Sequence, residues 1–131
     1  MSLQGPARGP RVAAAVVLVF ALVTWTGVWF SSAGNGAVSS MQPPFALAVT
    51  GVALPIMIGL WLRKQWAYWL GLIAAGWQFV SHALFLVVSM ATQRPLGVLD
   101  WSFEMVLAVF LVVLLLPATR RGCAPSPNPT E

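Results

Sequence analysis

VAAAVVLVFALVTWTGVWF, residues 12–30, carries no charged side chain, and its reading decides the fold. At 1.5 Å per residue a helix of this length extends about 28 Å, enough to cross a hydrocarbon core of roughly 30 Å. The run is continuously apolar, whereas strands of a membrane barrel alternate with period two, so a helix is expected. Arg8 and Arg11 precede the run, and the small residues Ser31, Ala33 and Ala37 follow it, which is also the order found in a secretory leader. Leader cores are usually about 7–15 residues, and this run is longer and holds Trp25 and Trp29, so a retained helix is expected.

Three further apolar runs follow. Residues 33–44 (AGNGAVSSMQPP) are uncharged and rich in Gly, Ser and Pro, which marks a loop. Spans are expected at 12–32, 45–62, 66–90 and 98–117. Pro55 removes a backbone donor from the second span, and a kink is expected there. Arg63-Lys64-Gln65 is so short a connection that spans two and three must be antiparallel neighbours. Pro95 and Gly97 interrupt the chain before the fourth span. Residues 1–11 are expected as an N-terminal tail and 119–131 (TRRGCAPSPNPTE) as a disordered one, too proline-rich to fold. The fold class is thus an all-α membrane protein, a four-helix up-down bundle over residues 12–118.

Composition agrees. Of 131 residues 59% are hydrophobic and 8% charged, against the roughly 25% charged of a soluble domain. Seven Lys and Arg face three Asp and Glu, for a net charge of +4. In a soluble chain that balance would raise nucleic-acid binding; here it orients the bundle, and no nucleic acid is expected as a partner. Arg8, Arg11, Arg63, Lys64, Arg120 and Arg121 fall on one side of a four-span chain and Arg94 on the other, which predicts both termini in the cytoplasm of a cell membrane. Trp61, Trp66, Tyr68 and Trp69 are expected at the inner boundary, Trp29 and Trp101 at the outer one. One cysteine, Cys123, allows no internal disulfide.

Two residue sets invite a role. Gly51, Pro55 and Gly59 recur at four-residue spacing on span two, as do Gly71 and Ala75 on span three. Small residues so spaced let helices approach closely, within the bundle or across a dimer face. The second set is ionisable. An ion at the bilayer centre costs about 2.5–3.5 kcal/mol even on the gentler scale, so His82, Glu104 and Asp100 need partners. Antiparallel registration of spans three and four puts His82 and Glu104 within about 3 Å of one level. Gln78 lies one turn from His82, Asp100 one turn from Glu104, and Thr24, Trp25, Thr26 and Thr50 reach a similar depth. Such a group could relay protons, bind a cation or hydrogen-bond a quinone, or His82 and Glu104 could simply satisfy one another. Asp100 is expected nearer the surface as the N-terminal cap of span four. One His and no clustered carboxylates argue against a metal or haem, and no cofactor is expected.

GLWLRKQWAYWLGLIAAGWQF, residues 59–79, places a short basic turn between two apolar helices with Trp at the second helix start. In this it resembles many small uncharacterised bacterial four-helix membrane proteins, including DoxX-like ones. The resemblance covers spans two and three and assigns no active site. Small multidrug resistance transporters have a similar length, but their essential carboxylate sits in the first span, which here has none. Three functions stay open. The first is a non-enzymatic protein acting through helix contacts, as accessory subunit or modulator of a larger membrane assembly. The others are a small proton-coupled transporter, a homo-oligomer, using Glu104 and His82, and a quinone-linked redox protein.

Overall fold

The computed structural model describes residues 8–34 and 39–123. Among them the structure is all-helical: α1 (Arg8–Ser32), α2 (Pro43–Trp61), α3 (Gln65–Ala91), α4 (Val98–Leu115) and the short α5 (Pro117–Cys123). The first four are long and apolar enough to cross a membrane, the mark of a multi-pass membrane protein. They form a ring in which α1 touches α2, α2 touches α3, α3 touches α4 and α4 returns to α1, with α5 laid mainly on α1.

Burial follows the helical period. On α1 the inward stripe is Pro10, Ala13, Ala14, Val17, Phe20, Thr24, Gly27 and Val28, and on α4 it is Asp100, Phe103, Leu107, Phe110 and Leu114. The outward faces are as apolar as the core, with Trp77 75% and Ile73 68% exposed. Helices that are hydrophobic all round suit lipid on the outside. Phe103, fully buried, is the centre of an aromatic group: its ring lies 4.6 Å from Phe20, 5.7 Å from Phe45 and 4.6 Å from the His82 imidazole.

Several boundaries differ from the sequence expectation, each for a local reason. The helix begins at Arg8, so residues 8–11 extend α1 instead of forming a tail; residues 1–7 lie outside the described residues. Pro43 and Pro44 open α2, where the missing N–H groups would have had no helical partner anyway. Pro55 sits inside α2, which runs on through it to Trp61. The fourth span stops at Leu115. Leu116 is extended (φ −63°, ψ 137°) because the Pro117 ring disfavours helical geometry in the residue before it.

The disordered tail expected at 119–131 is corrected for its first residues. Residues 117–123 form α5, held by Thr119 Oγ1 donating to the Val113 carbonyl at 2.7 Å and Arg63 Nε donating to the Gly122 carbonyl at 2.9 Å. Gly9 admits this docking, since a Cβ there would stand 2.6 Å from the Thr119 backbone nitrogen. Residues 124–131 lie outside the described residues. Tyr68 is buried against the core at 5% exposure, while Trp61, Trp66 and Trp69 face outward. Arg11 stacks its guanidinium over Trp61 at 5.3 Å.

The turns after α2 and α3 share one design. Arg63 (φ 59°) and Gln93 (φ 55°) are left-handed. Lys64 N–H donates to Gly59 O and Arg63 N–H to Leu60 O; Arg94 N–H donates to Ser89 O and Gln93 N–H to Met90 O. Both are Schellman ends, built without the glycine that usually announces them.

Candidate functional site

His82 lies on the inward stripe of α3, between Ala75 and Leu86, and Glu104 follows Phe103 on α4. The His82 Nδ1 and Glu104 Oε2 atoms are 2.8 Å apart, with side chains 9% and 14% exposed. A contact this short between a ring nitrogen and a carboxyl oxygen holds one proton between them. The imidazole is fixed on its faces too, tilted against Phe103 at 4.6 Å and stacked on Phe85 at 5.7 Å. Nδ1 is engaged by Glu104, and His82 is among the residues that line a cavity.

Asp100 takes the expected capping role from a different position: Gly97 is the N-cap residue, and Asp100, 1% exposed, stands three residues on. From the first turn of α4, Asp100 Oδ2 accepts the Gly97 N–H at 2.9 Å, and the carboxylate accepts the Ser40 N–H at 3.3 Å and hydroxyl at 3.1 Å. All its contacts are with donors. Asp100 thereby clamps the segment ahead of α2 onto α4. Ser39 and Met41 of that segment are buried against Gly27, where a Cβ would meet Met41 Sδ at 2.6 Å and Ser39 Oγ at 2.8 Å.

Two cavities, each of about 350 Å³, meet at this place. One, the more polar of the two though still mostly apolar in its exposed lining, is bounded by Ser40, Gln42, Gln78, Ser81, His82 and Asp100, with Met41, Phe45 and Phe85 as apolar walls. The other is apolar, running between α2 and α3 past Val49, Val52, Ala53, Ala74, Ala75 and Trp77 to Leu107 and Phe110. Phe45 and Gln78 line both, so the two adjoin at these side chains. The glycines of α2 and α3 differ in their surroundings. Gly59 packs directly on Ala67, and Gly71 would place a Cβ 3.2 Å from Ile56, but Gly51 and Gly76 meet nothing within 4 Å. The exposed Val52 and Trp77 stand at the outer mouth.

The residues singled out from sequence therefore part company. His82, Gln78 and Asp100 come together around the polar cavity, and Glu104 holds His82 from behind. Thr24, Thr26 and Thr50 spend their hydroxyls on their own helix carbonyls at Phe20, Leu22 and Ala46, and Trp25 donates to Thr50 at 2.8 Å. Of the small-residue stripes, Gly59, Gly71 and Ala75 face the neighbouring helices, whereas Gly51 and Pro55 are exposed. Ser40, Gln42, Phe45, Ser81 and Phe85 were not singled out. Ser40 had a signal, since a buried acid at residue 100 demands donors and the Ser39-Ser40 pair is the one hydroxyl-rich stretch in the preceding loop.

No three His, Cys, Asp or Glu among the described residues lie close enough together to hold a metal ion. What the arrangement can do is bind an apolar chain in the lower crevice and exchange hydrogen bonds with a polar group at Nε2, Gln78 and Ser81. Comparison with protein-family models, curated proteins and solved structures finds no match, so the functional reading rests on this geometry.

Proposed function

We propose that the chain takes a small amphiphile from the bilayer into the crevice between α2 and α3, its apolar chain along Val49–Ala53 and Ala74–Ala75 and its polar head beside His82. The observation that carries this reading is the sharing of Phe45 and Gln78 by an apolar and a polar cavity, which joins a tail site to a head site. The volume is within the range of about 300–1,000 Å³ usual for small-molecule sites. The outward mouth at Val52 and Trp77 is where a molecule dissolved in lipid would enter.

In the same reading the helices run up and down, with both termini on the cytoplasmic side of the cell membrane. Support comes from the contacts that join the start of α1, the end of α2 and α5: Gly9 with Thr119, Arg11 with Trp61, and Arg63 with Gly122. These gather Arg8, Arg11, Arg63, Lys64, Arg120 and Arg121 together, away from Arg94, as the positive-inside rule requires.

A proton-coupled carrier is the second reading, favoured by the shared proton of His82 and Glu104 at the head of the crevice. The accessory-subunit reading draws on outward faces such as Ile73, Trp77, Val80 and Leu84, which suit lipid equally well. The test is equilibrium binding of dodecanol to the full chain in lipid nanodiscs. Ala74→Phe, which fills the crevice, should weaken binding at least tenfold, and Val109→Phe on the outer face of α4 should not. Equal binding by both variants and the parent chain would remove the crevice reading.

A further inference from the structure

Resting on the crevice reading, we infer that the head site selects single-chain amphiphiles whose polar group carries an O–H or N–H donor, neutral or cationic, and refuses anionic heads. Three features converge on this. First, Glu104 takes Nδ1 of His82, a cavity-lining residue; with the ring neutral and its N–H on Nδ1, the remaining nitrogen Nε2 carries a lone pair. Gln78 and Ser81 add an amide oxygen and a hydroxyl oxygen on the same helix, so acceptors for a donor head are grouped at one end of the crevice.

Second, the two acids among the described residues stand at this end: Asp100 accepts from Ser40 and Gly97, and Glu104 meets His82. No residue lining the polar cavity is Lys or Arg, and the titratable groups that face His82 are Asp100 and Glu104, both from α4. The segment ahead of α2 brings Ser40, Met41 and Gln42, and α2 itself brings Phe45. Third, Phe45 and Phe85 wall the cavity, and aromatic faces attract cations and ignore anions.

A like charge held a few ångströms from an anionic head, at the effective dielectric of a partly buried site, weakens its binding at least roughly tenfold. The experiment compares three probes with one tail in nanodiscs carrying the full chain: dodecanol, dodecylammonium and dodecanoate, each corrected for binding to nanodiscs carrying Ala74→Phe. Dodecanol and dodecylammonium should bind, with dodecanoate at least tenfold weaker. Glu104→Gln, whose amide can donate to Nδ1 and turn Nε2 into a donor, should narrow the gap between dodecanol and dodecanoate. If dodecanoate matches or exceeds the other two on the unsubstituted chain, the head-group inference is wrong while the crevice reading stands. If none of the three binds above the Ala74→Phe background, the crevice reading itself has failed.

Discussion

His82 Nδ1 and Glu104 Oε2 meet at 2.8 Å across the interface of α3 and α4, the one ion pair among the described residues. Each residue is the other's answer to the cost of burying an ionisable group in an apolar bundle. A double-mutant cycle of His82→Leu and Glu104→Leu should therefore give a coupling of about 1–2 kcal/mol, read from reversible unfolding in bicelles. Either single substitution strands a polar partner and should cost more than its share of the double variant. Additive effects would mean that the pair contributes no interaction energy.

Asp100 holds the backbone N–H groups of Ser40 and Gly97 at once. Asp100→Ala should lower stability by about 1–2 kcal/mol, because the buried Gly97 N–H and the part-buried Ser40 N–H lose their acceptor. Ser40→Ala removes only the hydroxyl and should cost less than half as much. Amide hydrogen exchange of residues 39–42 should rise with Asp100→Ala and stay nearly unchanged with Ser40→Ala.

Gly59 and Gly51 stand on one sequence stripe in different surroundings. Gly59 lies against Ala67 and Trp66, whereas a Cβ at Gly51 meets nothing within 4 Å. Gly59→Leu should destabilise by about 1–3 kcal/mol through overpacking. Gly51→Ala should stabilise α2 by about 0.5–1 kcal/mol, since alanine is the better helix former. Thermal unfolding of the two variants measures both signs.

Cys123 packs into the core beside Arg63, and burial pushes its thiol above the ordinary value of 9.0, with the Arg63 charge pulling the other way more weakly. The folded state thus prefers the neutral thiol. A group raised on folding contributes stability below its unfolded pKa and loses it as pH climbs through the folded one. The docking of α5 should weaken above pH 9.0 in the parent chain and lose that dependence in Cys123→Ala. Reaction of Cys123 with iodoacetamide at neutral pH should be slower than that of a free thiol.

Much of this molecule could be read from its residues, for reasons that also say where reading stops. Four long apolar runs identify four helices because a helix satisfies its own backbone in lipid. The level of His82 and Glu104 followed from helical rise alone, and the structure joins them. That Asp100 also holds Ser40 was not legible, because only tertiary packing brings that segment to α4. The docking of α5 was hidden for the same reason: it depends on the gap at Gly9 and on Arg63, an arginine in a left-handed turn position where glycine would have been the signal. The crevice was illegible because it is bounded by ordinary apolar residues such as Val49, Ala53, Ala74 and Ala75, which carry no sign of it in the sequence.

The central claim is that an amphiphile from the bilayer occupies the space between α2 and α3, and photolabelling maps this directly. A dodecanol analogue with a diazirine midway along its chain is irradiated with the full protein in nanodiscs, and the adducts are located by peptide mass spectrometry. The account predicts adducts concentrated on Val49–Ile56 and Gly71–Gln78, displaced by excess dodecanol. Adducts spread along the outward residues Val109, Val112 and Leu115 of α4, and not displaced by dodecanol, would contradict it.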